Sequence, residues 1–558
     1  KEKKFVWIKR RISEEESRAL QSLGLEGIGT LPEYKRFYPN GNLAANLIGA
    51  VGYDAKALSG LELTWDKVLK SEDPPLLVEQ DAKGRSYAPY ALVGLERPKQ
   101  IVLSIDKTIQ YITQRELSKA VEKAKAKGGV ALVLKADTGE ILAMAAAPTF
   151  DPNRYFDFKF NRWRNRAITD QFEPGSTFKA ITAATALETG VLQPEAKIHC
   201  ENGAMKVGKS VIHDHHGHGL LKLPEIIKYS SNICSYKIAH KIGKKRFHEY
   251  ITSFGFGQKT GIEAPGEQAG LLASPKHMSS VQLGTIGFGQ GISSTPLQML
   301  MAYGALANGG KLMKPLLVKE VQDSEGNTLE RHTPTMIKQV LREDTAQETI
   351  KLLETVVQKG GTGTQAALKN YDVAGKTGTA QKVQPGEKGY AKNKYVASFI
   401  GLAPAKNPKL VVLVSIDEPQ GAYYGGTVSG PVFREIMGSS LAYLKVPPDR
   451  SGPSLPPAKI AKKPAPKKPG DAKKDEKIPP LKGGKDVWVA AALTGSPEGL
   501  KPIPDLKGLT VREAMRRALA QKFKIEIQGT GVCHSQEPAA GETAHEGTEI
   551  ILECKPPS

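Results

Sequence analysis

The chain has 558 residues, of which 40% are hydrophobic and 6% aromatic, and its formal net charge is +20. This length exceeds one ordinary hydrophobic core and predicts roughly two to four domains. The excess of basic over acidic residues suits an anionic binding partner. No basic stretch is interleaved with aromatic residues, however, which argues against nucleic-acid binding. No apolar run reaches the roughly 18 residues of a membrane span, so the given sequence predicts none.

Residues 1 to about 100 contain short mixed segments rich in Gly and Pro and predict no long helix. Asp106 then predicts the N-cap of a helix whose apolar positions lie largely on one side. A hairpin of two apolar strands follows, at Val130–Leu134 and Ile141–Ala147, with a turn at Asp137-Thr138-Gly139. The main domain is therefore expected to begin just before this helix.

A helix-rich stretch is expected to about residue 360, followed by further strands and a closing helix. The strands are predicted at Asp372–Thr379, Tyr395–Leu402 and Leu410–Ile416, and Pro431 suits the first turn of the helix. Strands at both ends of the domain, with helices between them, predict one central antiparallel sheet with flanking helices. The fold class is multidomain α+β.

Residues 447–486 hold ten Pro and ten Lys, a composition that predicts an extended spacer without a core. Beyond this spacer, Thr510 and Glu513 form a capping box ahead of an amphipathic helix. Alternating apolar residues then predict strands at Phe523–Ile527 and Glu549–Cys554. The C-terminal segment is therefore predicted to be a small βαββ-like module.

The four cysteines form no C-x-x-C pair, which argues against a zinc ribbon or a thiol redox motif. Cys533 and Cys554 fall on neighbouring predicted strands, where a disulfide can form in an oxidising compartment.

The first motif with chemical potential lies between Glu173 and Lys179. Ser176 and Lys179 are one turn apart at the start of a predicted apolar helix. A serine hydroxyl needs a base, and a lysine can serve once burial or positive potential lowers its pKa from about 10.4. Alone, this spacing is more typical of an N-cap serine and a surface lysine than of a catalytic pair.

Two further motifs follow in order along the chain. After a helix that begins near Leu223, Ser230 could relay a proton to a leaving amine and Asn232 could hold a substrate carbonyl. On a predicted edge strand, four residues then offer a cation, hydroxyls and close backbone approach to a peptide with a terminal carboxylate: Lys376, Thr377, Gly378 and Thr379. The backbone N–H groups of Ser176 and Thr379 are predicted to form an oxyanion hole.

The ordered triple S-x-x-K, S-x-N and K-T-G is shared by β-lactamases and penicillin-binding proteins. The surrounding residues resemble class B penicillin-binding proteins in particular. This resemblance rests on the following stretches: Phe172–Lys179, Gly287–Gln298, Gly361–Thr364, Gly60-Leu61-Glu62, Asp81–Arg85 and, for a PASTA domain, Ile503–Leu506 and Glu537–Gly541.

The resemblance implies acylation of Ser176 by a D-Ala-D-Ala stem peptide, release of D-Ala and transfer to an amine, with penicillins as covalent inhibitors. It implies Lys179 as base, Ser230 as proton relay and Asn232 as the residue that orients substrate, without metal or cofactor. It also implies a partial N-terminal pedestal at 1–100, a transpeptidase domain at 101–446, a linker at 447–500 and a PASTA domain at 501–556.

As implied partners we expect lipid-linked precursors, a membrane glycosyltransferase and other division proteins. The expected location is the bacterial cell membrane, through a single-pass anchor outside the given chain, with the catalytic domain facing the periplasm. Septal synthesis is favoured over elongation or spore cortex. Whether the PASTA-like module binds wall fragments or packs on the catalytic domain stays open.

Rival functions share parts of this pattern. A serine β-lactamase hydrolyses its acyl-enzyme, but no deacylating base is visible in the sequence. A D,D-carboxypeptidase releases D-Ala without an amine acceptor, whereas a β-lactam sensor or a wall-binding scaffold needs no turnover. The segment His213–His218 resembles a metal cluster, but we interpret it as a solvated turn or hairpin.

Overall fold

The computed structural model describes residues 6–30, 35–70, 99–208, 210–383, 389–450, 500–521, 523–529, 531–545 and 548–555. The chain divides into two compact units, Lys1–Ala458 and Lys459–Ser558. Most of the predicted spacer and the Asp81–Arg85 stretch lie outside the described residues. Within the described ranges, no helix combines the length and the apolar character that crossing a bilayer requires.

The first unit is built around a five-stranded sheet in the order β12-β13-β14-β2-β3, with every neighbouring pair antiparallel. This arrangement confirms the predicted sheet assembled from distant segments and puts β12 at an edge. The strands of the unit are β1 Gln100–Leu103, β2 Gly128–Lys135, β3 Ile141–Ala147, β4 Lys197–His199, β5 Ala204–Val207, β6 Ser210–His213, β7 Leu220–Lys222, β8 Lys311–Met313, β9 Val318–Gln322, β10 Thr328–Arg331, β11 Met336–Gln339, β12 Ala374–Val383, β13 Tyr390–Ala403 and β14 Leu410–Asp417.

Helices cover both faces of this sheet. The side chain of Asp106 accepts hydrogen bonds from the N–H groups of Thr108 and Ile109, which confirms the predicted cap of α5. The helices of the unit are α1 Glu14–Ser22, α2 Ala45–Ile48, α3 Gly60–Thr64, α4 Asp66–Leu69, α5 Lys107–Lys123, α6 Arg166–Thr169, α7 Lys179–Glu188, α8 Leu223–Tyr229, α9 Asn232–Ile242, α10 Lys244–Ser253, α11 Ser280–Ile286, α12 Pro296–Ala307, α13 Glu343–Glu354, α14 Gly425–Val428 and α15 Gly430–Tyr443.

The sheet separates two apolar cores. Leu132 and Leu134 of β2 belong to the core that also contains residues of α7, α9 and α12. Ala131 and Val133 alternate with them and join the core that contains residues of α5 and α15. Because both faces of β2 are covered, its sequence is a continuous apolar run rather than an alternating one.

Between α7 and α8 the chain forms two small antiparallel pairs, β4 with β7 and β5 with β6. The prediction of a helix-rich stretch to about residue 360 is therefore incomplete between α12 and α13, where β8 to β11 lie, and also here, where β4 to β7 lie. These strands are three or four residues long, and β5 and β6 are largely exposed. They lack the apolar periodicity from which a strand can be predicted. A disulfide joins Cys200, just after β4, to Cys234 in α9.

The second unit has its own core and its own disulfide, Cys533–Cys554, between paired strands. The N–H of Glu513 bonds to the Thr510 hydroxyl at 3.4 Å, and the N–H of Thr510 bonds to the Glu513 carboxylate at 3.2 Å. The predicted capping box is thereby confirmed. The elements of this unit are β15 Leu500–Pro502, α16 Val511–Ala520, β16 Lys524–Gly529, β17 Val532–Glu537, β18 Thr543–His545 and β19 Glu549–Lys555.

Candidate active site

Ser176 lies on a 3-10 turn, Gly175–Phe178, that leads directly into α7. Gly175 has a φ of +55°, which a residue with a side chain adopts only at an energetic cost. Its N–H donates to the carbonyl of Gly289 at 3.0 Å, and a Cβ on Gly289 would lie 2.2 Å from the Gly175 oxygen. The loop around Gly289 is thus pressed against this turn, and the half-buried Ser176 occupies a fixed position.

Lys179 follows on the same segment, and its side chain has no exposed surface. Its Nζ is hydrogen-bonded to the Ser230 carbonyl at 2.5 Å, to the Ser230 hydroxyl at 3.1 Å and to Asn232 Oδ1 at 2.7 Å. Burial, reinforced by the charge of Lys376, holds the pKa of Lys179 well below its usual value. A lowered pKa favours the unprotonated amine, which is the form that can accept a proton.

Ser230 ends α8 in the left-handed conformation, with a φ of +62°. This single residue turns the chain, and Ser231 then caps α9 by accepting a hydrogen bond from the N–H of Cys234 at 3.0 Å. The turn directs both the carbonyl and the hydroxyl of Ser230 toward the lysine amine of α7. The second motif therefore meets the first through the junction of two helices.

Lys376 reaches the same hydroxyl from β12. Its side chain is fully buried, and its Nζ donates to Ser230 Oγ at 2.9 Å. Burial lowers the pKa of Lys376 to about 7. The Ser230 hydroxyl thus lies between two amines, each in a dry environment where proton transfer between neighbouring groups is favoured over exchange with water.

The edge strand β12 packs directly against the turn that carries Ser176. A Cβ on Gly378 would lie 2.9 Å from Thr177 Cγ2 and 2.3 Å from Ser398 Oγ, so only glycine fits at this position. Thr377 is held by a 2.8 Å hydrogen bond between its hydroxyl and that of Thr362. Thr379 is partly exposed, and its hydroxyl accepts from the N–H of Gly425 at 3.1 Å.

The structure thus brings Lys179, Ser230, Asn232 and Lys376 into one hydrogen-bonded group and places Ser176 one turn before Lys179. Thr377 also contacts this group, because Lys376 Nζ donates to its carbonyl and its hydroxyl oxygen at 3.4 Å. Thr379 bonds outside the group, to the N–H of Gly425.

Sequence reasoning did not single out Thr362 or Asp214 as site residues. Thr362 belongs to the G-T-G-T stretch that supported the family resemblance, and this stretch was the available signal. Asp214 lies in the histidine-rich segment, which we interpreted as solvated. Its carboxylate instead bonds to the second motif. In the described part of the chain, no three His, Cys, Asp or Glu side chains are arranged to hold a metal ion.

Comparison with known proteins agrees with this geometry. Residues 129–438 match the penicillin binding protein transpeptidase domain, and residues 501–554 match the PASTA domain. The chain is 38% identical over 460 residues to the probable peptidoglycan D,D-transpeptidase PenA of Neisseria gonorrhoeae, covering 81% of this chain and 76% of PenA. It is 33% identical over 447 residues to the peptidoglycan D,D-transpeptidase FtsI of Escherichia coli, covering 80% and 74%.

Solved structures give the same result. The apo crystal structure of penicillin binding protein 3 from Mycobacterium tuberculosis is 32% identical, with a TM-score of 0.66, and the match covers 75% of this chain and 92% of that one. The same protein has been solved in complex with aztreonam and with ampicillin. The chain therefore belongs to the penicillin-binding protein transpeptidases, among the class B peptidoglycan D,D-transpeptidases, and carries a C-terminal PASTA domain.

Proposed function

We propose that this enzyme cross-links the D-Ala-D-Ala stem peptides of peptidoglycan through an acyl-enzyme on Ser176. One observation carries the proposal: the buried Lys179 amine, with its lowered pKa, lies one turn from Ser176 and bonds to both Ser230 and Asn232. An unprotonated amine at this position is the base that a serine nucleophile requires.

In the acylation step, neutral Lys179 takes the proton of Ser176 Oγ while this oxygen attacks the carbonyl of the penultimate D-Ala. The backbone N–H groups of Ser176 and Thr379 stabilise the oxyanion that forms. Ser230 relays the proton held by Lys179 to the nitrogen of the departing D-Ala as the peptide bond breaks, which leaves Lys179 neutral again. An amine of a second stem peptide then attacks the ester carbonyl and gives a proton to Lys179. Lys179 returns this proton to Ser176 Oγ as the ester bond breaks.

The donor peptide binds along the edge strand β12. Main-chain pairing with an edge strand suits an extended peptide, and the absence of a side chain at Gly378 permits close approach. We assign binding of its terminal carboxylate to Lys376 and Thr377, with Thr379 beside them, and orientation of its carbonyl to Asn232. Protonated Lys376 is the form that attracts a carboxylate, and this anion favours its protonation.

The biological setting is proposed from the relatives and from the domain composition. A septal role is supported by the relation to FtsI, and covalent inhibition by β-lactams by the complexes of the mycobacterial protein. We further propose a single-pass membrane anchor, a periplasmic catalytic domain and a partner glycosyltransferase with other division proteins. The proposed domains are the pedestal at 1–100, the transpeptidase at 101–446, the linker at 447–500 and PASTA at 501–556.

Mass spectrometry of the intact protein after incubation with penicillin tests the acyl-enzyme. The expected result is one stable penicilloyl adduct that maps to Ser176 and is absent from Ser176→Ala. An adduct on another residue, or none on folded protein, would contradict the proposal.

A second readout separates the related activities. With a D-Ala-D-Ala donor and an amine acceptor, we expect cross-linked product together with released D-Ala. Release without cross-linked product would indicate a carboxypeptidase, and rapid turnover of penicillin would indicate a β-lactamase.

A further inference from the structure

The loop after β6 is hydrogen-bonded to the start of α9 through the carboxylate of Asp214. Asp214 Oδ2 accepts from the Ser231 hydroxyl at 2.6 Å, and Asp214 Oδ1 accepts from the N–H groups of Asn232 at 2.5 Å and Ile233 at 3.1 Å. A single carboxylate thus accepts hydrogen bonds from three donors at the first turn of a helix, where backbone N–H groups have no partner within the helix. Its charge is also favourable at that helix end.

The residue before Asp214 acts on the same motif. The His213 carbonyl accepts from Asn232 Nδ2 at 2.9 Å, while Asn232 Oδ1 accepts from the Lys179 amine at 2.7 Å. An amide can face either way, and its partners decide which. A carbonyl on one side and an amine on the other leave only one orientation. The loop therefore determines which atom of Asn232 faces Lys179.

The electrostatic surroundings of Lys179 add a second role for this loop. The charged and titratable groups that act on the amine are Lys376 from β12, Asp214 from the loop, and His215, the next residue of the same loop. Lys376 disfavours a second positive charge, whereas Asp214 favours it. Burial, with Lys179 as the next cause, lowers the pKa of His215 as well.

We propose that Asp214 is a positioning residue for acylation: it holds Ser230-Ser231-Asn232 against Lys179 and supplies negative charge beside this buried lysine. This inference rests on the proposed role of Lys179 as base. The charge of Asp214 then limits how far the pKa of Lys179 falls, and its three hydrogen bonds keep the proton relay within reach.

The test is the pH dependence of acylation by a chromogenic or fluorescent penicillin, measured with the full chain. Acylation requires unprotonated Lys179, so the rate falls as the pH drops through the pKa of this residue. Asp214→Asn removes the negative charge that favours protonated Lys179. We expect this acid limb to move to lower pH by about one unit and the maximal rate to fall about tenfold.

Four further variants separate the effect of charge from that of structure. Asp214→Glu keeps the charge, so its acid limb should stay at the wild-type pH even if its rate falls. Ser231→Ala removes one hydrogen bond to Asp214 without changing charge, so its limb should also stay. Glu201→Gln removes an exposed carboxylate that pairs with Lys237 in the same part of the fold, and neither rate nor limb should change. In His215→Gln, any part of the pH dependence of acylation that disappears is due to titration of the His215 imidazole.

An acid limb that stays in place in folded Asp214→Asn, or moves equally in Asp214→Glu, would overturn the inference. If Asp214→Asn fails to fold, an acid limb that is shifted from its wild-type pH in folded Asp214→Glu or folded Ser231→Ala would also overturn the inference. Wild-type protein that forms no adduct on Ser176 would instead contradict the proposed function, so the two failures are distinguishable.

Discussion

Two lysines without exposed surface share one serine hydroxyl, and this arrangement affects stability as well as chemistry. The pKa of Lys376 is about 7 in the folded protein and 10.5 when unperturbed. Between these pH values the unfolded chain binds a proton that the folded chain lacks. The stability of the fold therefore rises with pH across this window and is reduced below it. Lys376 therefore destabilises the fold at neutral pH.

Replacement of this lysine should therefore stabilise the protein while inactivating it. We expect Lys376→Met to raise the free energy of unfolding at pH 7 by about 3 kcal/mol. The pKa difference corresponds to about 5 kcal/mol, and the lost hydrogen bonds offset about 2 kcal/mol. Denaturant unfolding at pH 7 and pH 10 measures this gain, which should shrink at the higher pH. Lys351 is exposed, so Lys351→Met is the control. Equal free energies of unfolding for the two variants at pH 7 would contradict the expected gain.

At the residue scale, the site could be predicted where chemistry imposes a spacing. In the proposed mechanism a base must lie beside its nucleophile, and Lys179 follows Ser176 by one turn. Ser230 and Lys376 likewise belong to short motifs, S-x-N and K-T-G, whose spacing is visible in the sequence. Asp214 carries no such signal. Its role depends on a loop that tertiary packing brings to α9, and a carboxylate among histidines has the same local pattern in a solvated turn. Long-range contacts of this kind are set by the fold, not by local sequence.

Elements with strong periodicity or clear caps were predicted to within a few residues. The helix capped by Asp106, the hairpin of β2 and β3, and the three late strands all follow from such patterns. The turn at Ser176 was predicted as helical, and its first part is 3-10 because Gly175 enters with a positive φ. The short strands β4 to β11 were missed because stretches of three to five residues are too short to show a period.

The Cys200–Cys234 bond links this region of short strands to α9, two residues after Asn232. It closes a loop with a sequence separation of 34, which predicts about 4 kcal/mol of stabilisation from restriction of the unfolded chain. We expect the double replacement Cys200→Ala with Cys234→Ala to lower stability by this order and to slow penicillin acylation. Denaturant unfolding and stopped-flow acylation measure the two effects. Unchanged acylation in the folded variant would show that the bond acts on stability alone.

At the scale of the whole molecule, the two units have separate cores among the described residues. The second unit is small, so its single disulfide provides a large share of its stability. With a sequence separation of 21, Cys533–Cys554 is worth about 3 kcal/mol. We expect Cys533→Ala with Cys554→Ala to lower the melting temperature of this unit in calorimetry and to leave the acylation rate unchanged. A slower acylation would reveal dependence of the first unit on the second.

The bond beneath α9 also has a consequence for how the enzyme is made. Both sulfur atoms belong to fully buried residues, so the thiols must be oxidised while the chain is still folding. At the proposed periplasmic location, a folding molecule would complete this bond no faster than the compartment supplies oxidant. In cells that lack a thiol-oxidising catalyst, we expect the total amount of this enzyme to exceed the amount that reacts with penicillin. Wall growth would then be limited by disulfide formation in this enzyme and not by its synthesis.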